Sequence, residues 1–464
     1  MKHLLPAKLI AIVLIICGLA FGLATIGDIV TERTSRQREA ELSVENGQAG
    51  RQTLMGPLLQ RYCIEEWDAW DGAGKARKLT VSKRDFTLTA IPERLQIDAG
   101  VGLDTRHRGI FQVNTYLSKT HLQAVWPSLS TLEPEREHER SRLRCGSPTL
   151  IVALSDARGI RSAQVVVDGK PEALRPGTRH HAYPRGFHVP LPDTVAATSK
   201  GFTADIDLEL LGTGELSFVP VAGTTQVHVK SDWPHPSFGG RFLPVSREIR
   251  DNGFEATWRV SSLATTAPAD FRDGVPLCAN MVGQGRSGPD ETCVESFGMA
   301  FFDPVNPYVL SDRAIKYGML FVALTFVAVA MMEILKRRRV HPVQYLLVGS
   351  ALSIFFLLLL SLSEHLPFGW AYALASSACS VLLTIYASYV MGGWRAGLAF
   401  GVGVGGLYGA LFVLLQREQT ALVMGSLLLF AVLAAVMLVT RKLDWYGVIS
   451  NFKPEPKAAR TEQV

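Results

Sequence analysis

The sequence predicts a membrane α-helical bundle of six crossings joined to an extramembrane, all-β or β-rich sandwich-like domain. Three observations carry that prediction. Residues 314–440 hold five apolar stretches of about 18 to 22 residues with short polar connections, and about 20 apolar residues cross the ~30 Å hydrocarbon core of a bilayer. A sixth stretch, residues 9–27, stands apart near the N-terminus. Between them, residues 28–313 have water-soluble composition, with strand-length alternation and turn residues. The chain average, 19% charged with a mean hydropathy of +0.18, fits neither part alone.

In chain order, residues 1–8 carry Lys2 and Lys8 and read as a cytoplasmic N-terminus ahead of a transmembrane anchor over 9–27. A cleavable signal peptide is the rival reading, with Gly18-Leu19-Ala20 or Gly22-Leu23-Ala24 as a weak cleavage site. The apolar run is longer than the usual signal core and Ile10 to Ile16 is unusually greasy, so the anchor is preferred. Thr31 to Gln48, rich in Glu, Arg and Gln, predicts continuation of the anchor helix as a solvated stalk that stops at Gly47 and Gly50.

Strand patterns fill the external segment, as in Phe86 to Ile91, Gln164 to Val167 and Ile206 to Leu210. Asp168-Gly169, Gly212-Thr213-Gly214 and Asn252-Gly253 supply turn chemistry between apolar runs. One lobe or two is left open; for two, the seam falls in the charged stretch Glu133 to Arg144. Four cysteines lie outside the membrane segments, in an oxidising compartment. Cys278 and Cys293 flank a loop rich in Gly, Asn and Ser and are read as a bridge; Cys63 with Cys145 is a second candidate pair, and four idle thiols are the alternative.

Residues 314–440 form the predicted five-helix transmembrane bundle, with a cytoplasmic tail over 441–464. Orientation follows the basic residues: Lys336-Arg337-Arg338-Arg339, the turn at Arg395 and the tail with Arg441 and Lys442 belong in the cytoplasm. Both termini are therefore expected inside and residues 28–313 in the periplasm. Gly397, Gly401, Gly405 and Gly409 recur every four residues and predict a smooth ridge for helix packing, or for a homodimer in the sharper version. Lys316 and Glu333 lie near the ends of the second crossing, and no acid or base lies near the middle of any crossing. That argues against an ion-coupled pump, which needs ionisable groups within the membrane.

Chemical motifs are scarce. Gly401-Val402-Gly403-Val404-Gly405-Gly406 satisfies the dinucleotide pattern GxGxxG, but it sits in a membrane helix with no βαβ unit around it. His180-His181 with His188 lack a carboxylate or thiol at ligand spacing. No catalytic residue, cofactor or metal is assigned. The net charge of +5 comes largely from the cytoplasmic flanks, which points to the lipid bilayer as partner and away from nucleic acid.

Ser231-Asp232-Trp233-Pro234-His235-Pro236-Ser237-Phe238-Gly239-Gly240-Arg241-Phe242-Leu243-Pro244 resembles the SxWPxPSFxGxFLP signature of CreD-type inner membrane proteins. Phe301-Phe302-Asp303-Pro304-Val305, Leu310 to Gly318, Val340 to Tyr345, Leu360 to His365 and Thr440 to Tyr446 are similar to the same family, so that the likeness covers about Leu210 to Tyr446. Earlier in the chain Gly56-Pro57-Leu58-Leu59-Gln60-Arg61-Tyr62 stands where the family has GP, an apolar run and PY. His107 stands where a tyrosine is common before Arg108-Gly109. The resemblance implies a multi-pass inner membrane protein tied to cell-envelope integrity, under a two-component system that responds to envelope stress, with links to β-lactam and colicin tolerance. It brings no catalytic residues.

Pro304 and Pro307 make a stiff connector into the second crossing, and with Trp233 and Phe238 packed nearby it is expected to dock the external domain onto the bundle. Three functions stay open. One is a non-enzymatic envelope-maintenance or stress protein that binds an envelope component or membrane protein partner. The others are a transport or lipid-handling protein and an unrecognised envelope hydrolase. For the hydrolase, a Ser–His contact or buried acid pair near His121, His188 or Asp205 would be the sign.

Overall fold

The computed structural model describes residues 4–71, 78–193, 201–279, 293–301, 303, 306–336, 340–416 and 421–441. Pro304, Arg337 to Arg339, the 417–420 connection and the tail from residue 442 lie outside the described residues. The chain divides into two compact units, Met1–Arg36 with Val305–Val464, and Gln37–Pro304.

The first helix, α1, runs without a break over Leu4–Gly47, so anchor and stalk are one element and the unit boundary falls inside it. Its charged part is stabilised locally by the Glu32–Arg36 pair one turn apart, at 3.0 Å. A helix end leaves carbonyls without partners. Here Arg158 supplies them, donating from Nη1 to Asn46 O at 2.7 Å and from Nη2 to Glu45 O at 3.3 Å. Asp156 holds that guanidinium and also accepts the Gly50 N–H at 3.1 Å. Burial alone would raise the Asp156 carboxyl, but the hydrogen bonds from Arg158 and Gly50 outweigh it and hold it at about 2.

In chain order the strands are β1 (Gln52–Asp71), β2 (Lys78–Ala90), β3 (Arg94–Arg108), β4 (Phe111–Trp126), β5 (Arg142–Cys145), β6 (Thr149–Leu154), β7 (Ile160–Val167), β8 (Lys170–Glu172) and β9 (Arg175–Pro176). They continue with β10 (Gly186–Pro190), β11 (Phe202–Thr213), β12 (Glu215–Phe218), β13 (Thr224–Ser231), β14 (Pro236–Gly240), β15 (Ser246–Arg250), β16 (Gly253–Ser261) and β17 (Phe297–Phe301); a short helix, α2 (Ala267–Asp273), lies between the last two. They form two sheets. One is ordered β14-β17-β12-β1-β6-β10-β9, with β2 and β5 also paired to β1; the other is ordered β15-β16-β13-β3-β4-β11-β7-β8.

A single core cluster joins the two sheets, taking in Leu54, Leu58 and Phe297 from the first and Ile97, Trp126, Ile206 and Trp258 from the second. Burying each such side chain contributes roughly 1.5–3 kcal/mol before the entropy of ordering it. The sheets differ in exposure. β6, β12 and β17 are buried along nearly their whole length, whereas β4 and β11 alternate residue by residue, as expected for strands with one wet face.

Glu133 to Arg144 is not a seam between lobes. Buried Glu65 on β1 accepts the N–H groups of Glu137 and His138 at 3.0 and 3.1 Å and the Ser141 hydroxyl at 2.6 Å, which keeps its carboxyl below the usual range. Trp67 stacks on His138 at 4.0 Å, and a disulfide joins Cys63 to Cys145 beside the β1–β5 pairing. The charged stretch thus lies strapped to the first sheet.

In the other unit, α3 (Pro307–Lys316), α4 (Gly318–Lys336), α5 (Pro342–Ser363), α6 (Phe368–Val390), α7 (Trp394–Gln416) and α8 (Ala421–Thr440) follow one another. Four of the described helices, α1 among them, are long and apolar enough to cross a membrane, and a fifth if α3 and α4 count as one; in α8, Val423–Leu438 is shorter. The crossing expected from Ala314 to Leu335 is broken. α3 and α4 meet at 44°, and Gly318, the first residue of α4, packs closely against Leu23 and Phe356: a Cβ there would lie 3.2 Å from each. Asn306 caps α3 by accepting Tyr308 N–H at 3.0 Å, with Pro307 in the first turn.

Two ion pairs fasten α1 within this unit. Near its N-terminal end Lys8 donates to buried Glu333 on α4, whose other carboxylate oxygen accepts the Tyr345 hydroxyl at 3.0 Å. Further along, Arg33 lies 3.4 Å from Glu364 at the end of α5.

Candidate functional site

With the first sheet covered along its central strands, the open face of the second sheet is an extended polar surface of the sandwich. Cross-strand register assembles it. Asp207 on β11 is opposite His121 on β4, His121 is opposite Asp98 on β3, and Asp98 is opposite His228 on β13, so acids and imidazoles alternate across four strands. His121 Nδ1 lies 2.7 Å from Asp207 Oδ1, and its Nε2 lies 4.0 Å from Asp205 Oδ1. His228 Nε2 lies 2.8 Å from Glu255, and its Nδ1 3.9 Å from Asp98. Two residues along each strand, Gln123, Gln96 and Gln226 stand side by side, next to Asp205.

A shallow, open depression of about 350 Å³ lies where β4, β11 and β7 adjoin. Its lining includes Lys119, His121, Ser162, Gln164, Asp207 and Glu209. Lys119 Nζ lies 3.8 Å from Glu209. β7 carries a register shift opposite Glu209 and Leu210, an irregularity of the kind that re-aims side chains beside binding sites.

A carboxylate-held imidazole can serve as a base, but geometry limits that role. Ser162 on β7 is level with Lys119 on β4, two residues along from His121 and with β11 between, so the two backbones are farther apart than two strand spacings, about 9–10 Å. Direct proton transfer between them is out of reach. His188 is equally far from that chemistry: it is buried in β10, with Nδ1 2.5 Å from Gly177 O. His180, stacked between His181 and Tyr183, is desolvated and pushed down to about 4, with the His181 ring adding to the shift.

The sequence-derived positions fall elsewhere. Cys278 and Cys293 are joined by a disulfide. Phe238 packs edge-to-face against Phe254 and Trp258 at 5.5 and 5.6 Å, and Trp233 rests against the sandwich core and donates from its indole N–H to His235 O at 2.9 Å. Both are therefore engaged within their own domain. Pro307 opens α3. The glycine ridge divides in two: a Cβ on Gly397 would lie 2.6 Å from Ser388 and one on Gly401 would collide with Thr384, whereas Gly405 and Gly409 have nothing within 4 Å. α6 thus approaches α7 along the first half of the ridge.

Sequence comparison adds the relationship. Residues 5–446 match the family described as inner membrane protein CreD. The chain belongs to that family. Inner membrane protein CreD of Escherichia coli strain K12 is 33% identical over 428 residues, covering 91% of this chain and 89% of that protein. Among solved structures, an M1 zinc metallopeptidase from Deinococcus radiodurans overlaps 36% of this chain and 38% of its own, with 12% identity and a TM-score of 0.18, too slight a likeness to bear on fold or activity. Membership of the CreD family and the apolar helices agree on a multi-pass inner membrane protein with a β-rich extramembrane domain.

Proposed function

We propose that this protein maintains cell-envelope integrity, or answers envelope stress, by binding an envelope component or partner through its β domain without catalysing a reaction. The observation that carries this reading is the open sheet face, where paired imidazoles and carboxylates, a row of amides and a depression stand together on the solvated side of a rigid sandwich. The side chains of His121 and Asp205 are 39% and 40% exposed, and water in contact with the pair favours recognition over proton-transfer chemistry, which gains from a closed site.

In the proposed topology the chain crosses six times, both termini are cytoplasmic and residues 28–313 are periplasmic, in line with the basic flanks at Lys8, Lys336 to Arg339 and Arg395. The half of the ridge at Gly405 and Gly409, free of neighbours within 4 Å, is where a second copy would pack. Complementation tests the functional reading. In cells lacking the protein, wild type should restore tolerance to a β-lactam or detergent, while a stably inserted variant carrying His121→Glu and Asp207→Lys should not. Full restoration by that variant would count against a binding role for the face.

A further inference from the structure

We infer that the depression between β4, β11 and β7 holds a sugar unit, with the rest of a glycan laid across the neighbouring strands. The inference rests on the binding role proposed for this face and names the chemistry of what is bound. Donors and acceptors are mixed in the lining: Asp207 and Glu209 only accept, Lys119 only donates, and Ser162, Gln164 and His121 do either. A hydroxyl also does both, so a polyol satisfies all of them. Other ligand classes fit poorly. A phosphate or nucleic acid would meet two carboxylates against one ammonium, itself 3.8 Å from Glu209. An apolar ligand would find no aromatic or aliphatic wall, since Leu208 is buried beneath the strands.

The surroundings extend the site in one direction. Gly100 faces both Lys119 and Lys230, and a Cβ added to it would meet only Lys119 O at 3.9 Å, so the backbone between the two lysines is free of side-chain cover. Beyond the acid–imidazole row stand Gln123, Gln96 and Gln226, three neutral amides repeating at the strand spacing of about 4.8 Å. Successive hydroxyls of a linear glycan would meet a donor and an acceptor at each step. The same hydroxyl chemistry belongs to wall amino-sugar strands and to neutral glucans.

The test is calorimetric titration of the full chain in detergent with two probes, a tetrasaccharide of β-1,4-linked N-acetylglucosamine and a tetrasaccharide of β-linked glucose. Saturable binding of either supports the inference and identifies the source, provided that Gln164→Ala and Glu209→Gln each weaken it about tenfold, as loss of one ligand hydrogen bond does. Arg250→Ala on the edge strand β15 should leave it unchanged. Unchanged melting of the variants would show that the loss is local. No saturable binding of either probe, or binding indifferent to Gln164 and Glu209, would overturn it. In that case crosslinks formed from this face in cells would still uphold the broader binding role, with a ligand that is not a glycan; conversely, tetrasaccharide binding alongside full complementation by the charge-reversed variant would sink that role and leave the sugar site standing.

Discussion

Asp156 joins the end of the long first helix to the sandwich, and its chemistry sets a pH limit. Its carboxyl titrates at about 2 when folded against 3.8 ordinarily, so its stabilisation is complete above pH 4 and is lost as pH falls from about 4 to about 2. Asp156→Asn should cost about 1–2 kcal/mol at neutral pH and flatten the acid limb of thermal stability in that window. His180 acts higher on the scale: with its folded value lowered from 6.5 to about 4, acidification through that range favours the unfolded chain, and His180→Phe should reduce the loss of melting temperature between pH 6.5 and 4. His121 and Asp205 could be singled out from the sequence by type, yet the decisive partner, Asp207, lies 86 residues from His121. Nothing local in either segment announces a pairing between β4 and β11. The clue available was the period of two in Lys119-His121-Gln123 and Asp205-Asp207-Glu209, which puts each triplet on one face of its strand.

Helices and strands were legible to different degrees. Apolar length alone locates α1 and α5 to α7, because a helix that faces lipid is apolar throughout. The break between α3 and α4 was hidden inside one apolar stretch, and the close packing of Gly318 against Leu23 and Phe356 joins distant parts of the chain that no local pattern announces. The same holds for the clasp at Lys8. Removing one partner of a partly buried pair leaves the other charge poorly compensated. Glu333→Gln should therefore lower the melting temperature in detergent, with Lys8→Glu combined with Glu333→Lys recovering much of the loss; equal stability of the single and paired variants would remove the clasp. On the ridge, Gly401→Val should cost about 1–3 kcal/mol through collision with Thr384. Gly405→Ala, with nothing of its own chain within 4 Å, should leave the melting temperature of the single chain nearly unchanged. In the sandwich, Phe238→Ala should cost about 2–3 kcal/mol because its ring packs against Phe254 and Trp258.

At the level of the chain, the division into a membrane unit and a β-rich domain follows from composition alone, since 19% charge and five clustered apolar runs cannot coexist in one solvent. Sheet order could not follow in the same way: β1 pairs with strands as distant as β12, and β13 runs parallel to β3, contacts set by packing rather than by neighbouring sequence. That order decides which strands are buried on both faces, as β6, β12 and β17 are, and which keep one wet face, as β4 and β11 do. The central claim is that this open face meets something in the envelope. It is tested most directly in living cells by placing a photo-crosslinking residue singly at positions 96, 123 and 226 on the face and at Leu263, which is 97% exposed, as a control. Discrete adducts from the three face positions, absent from position 263, are expected; no adducts from the face, or the same adducts from all four positions, would contradict a binding role for this domain.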